Sequence, residues 1–229
     1  MKIIESKTVS VAGDADVHFI RIDPEDINVT LRSILSALMD LSWLSKFDPE
    51  PLSLSFQRRA EKTIADIKTK FENCDEGKLT KDAGEYVVSE LSREAIVSDL
   101  GYLDIPLGEL IGKKISGNPG FDFYSQNNGT DTVIFGEAKY ITSSSAYSRA
   151  LEQISEFITD EKDITDLADL EHFCTAKALQ RVISGKKGFA AAFSAKSTSS
   201  DRLIKSITAN RDFKELLRYE EILLVAVNI

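Results

Sequence analysis

Three side chains near the middle of the chain have the types and spacing for phosphate hydrolysis. Asp122 lies in Gly-Phe-Asp-Phe-Tyr (120–124), and Glu137 and Lys139 lie in Val-Ile-Phe-Gly-Glu-Ala-Lys-Tyr (133–140). Side chains alternate along a strand, so Glu137 and Lys139 share a face while Ala138 points the other way. Two carboxylates and an ammonium on one face of a hairpin are costly to bury without a purpose. The set is expected of a metal-dependent phosphodiesterase. Magnesium takes hard oxygen ligands, one or two of them carboxylates, with water and substrate phosphate completing the shell. Asp122 and Glu137 supply those carboxylates, and the backbone carbonyl of Ala138 lies beside them. A metal held there lowers the pKa of its water and neutralises charge on the scissile phosphate. Lys139 then stands next to that water, orienting it or stabilising the charge that develops.

The elements that must hold these residues are readable from pattern. Asn127-Asn128-Gly129 is a turn signal between the two strands of the hairpin. A helix from Asp82 carries Val87, Val88, Leu91 and Ala95 as one stripe, and another from Ala146 to about Ile158 buries Tyr147, Leu151, Ile154 and Ile158. Gly188–Ser194 and Ile222–Ile229 read as apolar strands separated by a helix around Arg202–Leu217. The order from 82 onward predicts an α/β sandwich with a mixed central sheet flanked by helices. Ahead of it, residues 1–75 read as two strands (Ile3–Val11 and Val17–Ile22) and a helix over Ile27–Leu44. A Pro- and Ser-rich loop at Asp48–Ser55 and a charged helix over Gln57–Phe71 follow. The turn-like Cys74–Thr80 marks the boundary between this N-terminal region and a core of 76–229.

Composition narrows the classes of function. At 229 residues the chain holds one large domain or two small ones, and its 42% apolar content is ordinary for a globular protein. Nothing has the length of a transmembrane helix or the form of a secretory leader, so a cytoplasmic protein without a membrane is expected. Cys74 and Cys174 stand a hundred residues apart with no partner nearby, which reads as free thiols in a reducing compartment. His18 and His172 are equally isolated, giving little support to a Ser-His or Cys-His nucleophile, and no Walker loop is present. Trp43, Phe71, Phe189 and Phe193 read as core.

The formal net charge of −9 is awkward for a protein that holds nucleic acid. It is unevenly spread: residues 152–171 hold eight acids against one base, and residues 185–218 hold eight bases against three acids. A nucleic-acid face on the C-terminal part and two merely solvated faces both fit this pattern. Lys113 and Lys114, just before the hairpin, are further candidates for phosphate contact or for plain solvation.

Asp122, followed after a hairpin-length gap by Glu137-Ala138-Lys139, resembles the motif of the PD-(D/E)xK nuclease superfamily, with Gly120 where many members have proline. The resemblance implies a restriction-endonuclease-like core, magnesium or manganese bound by the aspartate and glutamate, and a lysine that assists the attacking water. Gln153 with Phe157 four residues on is similar to the Gln-x-x-x-Tyr element of RecB-like members, in which the glutamine helps position the nucleic acid. The tyrosine hydroxyl is missing here. Arg149, one turn before Gln153, can reach a phosphate or simply form a surface Arg/Gln pair. Members also carry an extra acid on the preceding helix. Glu85 is the candidate, bordering the buried stripe, while Glu90 is expected to point further away and Glu94 to flank the opposite edge. An ordinary first-turn acid explains Glu85 equally well. More narrowly, GEYVVSELSREAI, LGELIGKKISGNPGFDF and VIFGEAKY resemble the effector nucleases of the Hachiman anti-phage system. That resemblance implies DNA as substrate and a helicase partner that restrains or delivers the nuclease. The alternatives are a nuclease-fold interaction subunit with weak or no catalysis, and an RNA-directed nuclease.

Overall fold

The chain opens with an antiparallel hairpin of β1 (Lys2–Thr8) and β2 (Asp16–Asp23), and β2 pairs in parallel with the last strand, β6 (Glu221–Val227). With β3 (Phe123–Asn127), β4 (Thr132–Lys139) and β5 (Gly188–Ser194) they make one six-stranded mixed sheet in the order β1-β2-β6-β5-β4-β3. The computed structural model describes residues 1–48, 50–75, 78–112, 120–141, 146–196 and 198–229. The central strands β5 and β6 are buried along their whole length, as parallel strands covered on both faces must be.

The helices divide into those that follow the N-terminal hairpin and those that flank the site. Helix α1 (Ile27–Met39) starts where the Asp26 carboxylate accepts the Val29 amide, and it stops earlier than periodicity predicts, a 3-10 turn over Ser42–Lys46 taking up the rest. Helix α2 (Glu50–Glu72) absorbs part of the expected 48–55 loop. Pro51 falls in its first turn, where a missing N–H costs nothing. Helix α3 (Lys81–Leu100) is capped by the Thr80 hydroxyl at its start and by left-handed Gly101 at its end. The short α4 (Gly108–Ile111) precedes the hairpin β3–β4, and α5 (Ala146–Thr159) follows it. Three short helices, α6 (Lys162–Thr165), α7 (Leu167–Leu170) and α8 (Ala176–Ile183), lead to β5. The single helix expected over 202–217 is two, α9 (Ser200–Ala209) and α10 (Arg211–Leu216). The break comes at Asn210, whose side chain caps α10 by accepting the Asp212 and Phe213 amides. Among the described residues no helix is long and apolar enough to cross a membrane.

Side-chain packing ties the N-terminal region to the rest. Trp43, Phe47 and Phe56 pack against His172 and Phe173 in an aromatic cluster. Arg59 Nη1 donates to the Ile111 carbonyl at 2.8 Å and Thr63 Oγ1 to the Glu109 carbonyl at 3.2 Å, which clamps α2 onto α4. Cys174 is buried, with its thiol pushed up to about 12 by desolvation, and Cys74 is half-buried.

Candidate active site

The site forms because β4 outruns β3. Phe123 pairs with Gly136, so Glu137, Ala138 and Lys139 extend past the start of β3 while still pairing with Ala191, Ala192 and Phe193 of β5. A strand edge left open there would leave an amide without a partner. The Asp122 side chain fills that role, its Oδ2 accepting the Ala138 amide at 2.8 Å. In an extended strand one residue's N–H and C=O face the same neighbour, so the Ala138 carbonyl also faces the Asp122 side. The backbone of Asp122 is held from two directions: its amide donates to the Gly136 carbonyl at 2.8 Å, and its carbonyl accepts the Gly108 amide at 2.9 Å. Only glycine fits at 108, since a Cβ there would lie 2.5 Å from the Phe121 carbonyl oxygen.

Glu137 is 1% exposed, and its Oε1 lies 2.6 Å from Lys139 Nζ. Burial works against the charge on Lys139. The Glu137 carboxylate overcomes it, with Asp122 and Glu85 adding, and holds the ammonium above its ordinary pKa. Glu85, near the start of α3, is half-buried, and desolvation raises its carboxyl above the usual range. The Lys139 ammonium opposes that rise and the Asp122 carboxylate adds to it. Asp122, Glu137, Lys139, Glu85 and Gln153 line one cavity of about 240 Å³. Glu85, Lys139 and Gln153 also line a neighbouring cleft of about 730 Å³, whose rim includes Arg149. All six side chains predicted from sequence therefore lie in these two adjoining spaces.

Their roles differ from expectation in places. Arg149 is solvent-exposed and lies 2.5 Å from Glu152, so at rest it is paired to its own helix. Phe157 is core, packed edge-on against Phe121 at 5.1 Å between ring centroids, and the tyrosine-like position does not face the cavity. Glu90, expected to point away from the buried stripe, is 2% exposed because Arg93 meets both its oxygens, at 2.9 and 2.6 Å. The basic run of 185–218 contributes to neither space. Lys187 is buried against Asp163, while Arg202, Lys205, Arg211, Lys214 and Arg218 are exposed elsewhere. Two acids of the 152–171 stretch are structural rather than solvated: Asp163 meets Lys187, and Asp166 accepts the Tyr124 hydroxyl at 2.8 Å. Lys113 and Lys114 lie outside the described residues.

Sequence reasoning missed Glu109, Lys70, Asp82, Tyr86 and Ser89, which line the smaller cavity too. No pattern singles out Glu109 or Lys70, because each arrives through the α2–α4 clamp. The donor chemistry suits a hard divalent ion: the Asp122 and Glu137 carboxylates open onto one cavity, with the Ala138 carbonyl on the same strand edge. Among the described residues no three His, Cys, Asp or Glu side chains converge as a ready cage. The chain matches no protein-family model, no curated protein and no solved structure, so a reading of the site stands on its own residues.

Proposed function

We propose that the protein is a metal-dependent nuclease with a restriction-endonuclease-like core, hydrolysing phosphodiester bonds of DNA. The observation that carries this reading is the meeting of Asp122, Glu137 and Lys139 in one cavity at the C-terminal end of β4. Ligand sites of open α/β sheets gather at that end of the strands. Asp122 and Glu137 would hold magnesium or manganese with the Ala138 carbonyl, and Glu85 would supply a further acid from α3. The ion, when bound, supplies an activated water and charge neutralisation at the phosphate. Lys139, kept protonated by Glu137, donates hydrogen bonds to oxygens that gain charge in the transition state. Gln153 lies between cavity and cleft, placed to orient the strand being cut, and Arg149 can exchange Glu152 for a phosphate at the rim.

The net charge of −9 argues that such an enzyme receives its substrate from a partner. A helicase-type partner in a cytoplasmic anti-phage complex is the setting the sequence resemblance supplies. The test is incubation of the purified protein with plasmid, linear DNA and RNA, with and without magnesium, beside Glu137→Gln. Magnesium-dependent cleavage by the wild type, lost in the variant, is expected. Equal cleavage by both would remove the site from the chemistry. No cleavage by either, alone or with the partner, would return the chain to the interaction-subunit reading.

A further inference from the structure

The smaller cavity contains a cation that the reaction above does not use, and it comes from the N-terminal region. Lys70, in the last turn of α2, lines the space together with Asp122, Glu137 and Lys139. The two lysines are held in different ways. Lys139 is committed to Glu137 at 2.6 Å, with that carboxylate 1% exposed. Lys70 Nζ lies 2.7 Å from Asp66 Oδ2, but the Asp66 side chain is 59% exposed, and such solvated pairs are weak and easily exchanged. An ammonium has three donors, and Asp66 engages one of them. The Tyr86 ring, with its centroid 5.0 Å from Nζ, supports the charge without consuming a hydrogen bond.

Lys70 is also held in register with the reacting centre. Thr63 and Arg59 of α2 bond the backbone of Glu109 and Ile111 in α4, and the amide of Gly108 in α4 bonds the Asp122 carbonyl. Two hydrogen bonds thus join the helix that carries Lys70 to α4, and a third joins α4 to the backbone of Asp122. Lys70 adds to the positive charge that Lys139 presents beside the acids of this wall. Asp82, Glu85, Glu109, Asp122 and Glu137 all line the cavity, and a polyanion approaching five carboxylates is repelled unless the wall presents positive charge.

We propose that Lys70 is a substrate-binding residue, donating to a backbone phosphate of the polynucleotide next to the bond being cut. The proposal rests on the nuclease reading of the same cavity and gives the N-terminal helix a part in it.

The experiment uses the full chain with three substitutions. Lys70→Met keeps an unbranched side chain of similar length without the charge, Lys70→Arg keeps the charge, and Asp66→Asn removes the ion pair while leaving the lysine. Magnesium-dependent cleavage gives KM and kcat. Fluorescence anisotropy with a labelled DNA oligonucleotide in the Glu137→Gln background gives Kd and its salt dependence. Lys70→Met should raise KM and Kd roughly three- to tenfold with kcat within about twofold, as loss of one ground-state contact requires. The slope of log Kd against log salt should shrink by about one unit or slightly less. Lys70→Arg should restore binding, and Asp66→Asn should bind at least as well as wild type. Unchanged binding in Lys70→Met, or the same loss in Asp66→Asn, overturns the proposal while leaving the nuclease reading intact. If the wild type binds through Lys70 but never cuts, the nuclease reading falls and the contact stands. If it neither binds nor cuts, both fall.

Discussion

The two ends of the parallel strands both gather carboxylates, and they treat them in opposite ways. At the N-terminal end, Glu221 begins β6 and is 6% exposed. The Tyr102 hydroxyl donates to its Oε1, and the Asn127 amide donates to its Oε2 at 3.1 Å and to the Tyr102 oxygen at 2.9 Å. Beside it Glu220 is met by Arg181 and, at 3.0 Å, by the Thr132 hydroxyl. These acids are closed over by donors from neighbouring elements. At the C-terminal end Asp122, Glu137 and Glu85 line a cavity, where the Ala138 amide donates to Asp122 and the Lys139 ammonium to Glu137. A carboxylate surrounded by protein donors has its solvation replaced and serves the fold. One that lines a space is placed to meet something from outside the chain.

That contrast predicts a separation of effects, largest at the open end. Asp122→Asn retains an oxygen to accept the Ala138 amide, so the sheet end stays closed, but it removes the charge. Cleavage is expected to fall roughly 10²–10³-fold with little change in the unfolding midpoint. Glu221→Gln at the closed end should leave the cleavage rate unchanged. If Asp122→Asn unfolds the protein while its cleavage per folded molecule persists, the carboxylate serves the fold and the two ends are alike after all.

An intermediate effect is expected where packing and site meet. A Cβ at Gly136 would lie 2.3 Å from the ring of Phe123, which is fully buried and has nowhere to go. Gly136→Ala should cost about 1–3 kcal/mol of stability in a denaturant titration, as overpacking of a filled core does. It should also lower activity, because Glu137 is the next residue on the strand. Full activity in a destabilised Gly136→Ala would mean that the site tolerates movement of β4, contrary to the rigid placement argued above.

The same contrast explains what was legible beforehand. Asp122, Glu137 and Lys139 were readable because a strand's alternation and a hairpin turn fix their relation within 18 residues. Glu85 and Gln153 were reachable because helical periodicity and the resemblance place them on flanking helices. The turn was located correctly, and its left-handed residue is Asp131, at φ 55°. Lys70 and Glu109 depend on α2 docking against α4, through contacts between residues 46 and 52 positions apart that no local pattern encodes. The charge blocks misled for a related reason: Asp163 and Lys187 sit in opposite blocks and neutralise each other in the interior. Composition registers charge but not the tertiary pairing that removes it.

The smallest expected effect lies at the closed end and is a pH dependence. Burial raises the Glu221 carboxyl above its ordinary 4.5, with the Tyr102 and Asn127 hydrogen bonds pulling the other way and the charges of Asp16 and Glu220 adding to the rise. A group whose folded pKa exceeds its unfolded pKa binds protons more tightly when folded. Its contribution to stability is fully present below 4.5 and is lost as pH rises through the folded value. Glu221→Gln removes that titration and keeps one oxygen that can accept from Tyr102 or from Asn127. Denaturant melts from pH 4 to 7 should therefore show the wild type losing stability relative to Glu221→Gln as pH rises. A constant gap across that range would mean that the hydrogen bonds from Tyr102 and Asn127 fully offset burial. Burial would then carry no net cost for the charged form of Glu221.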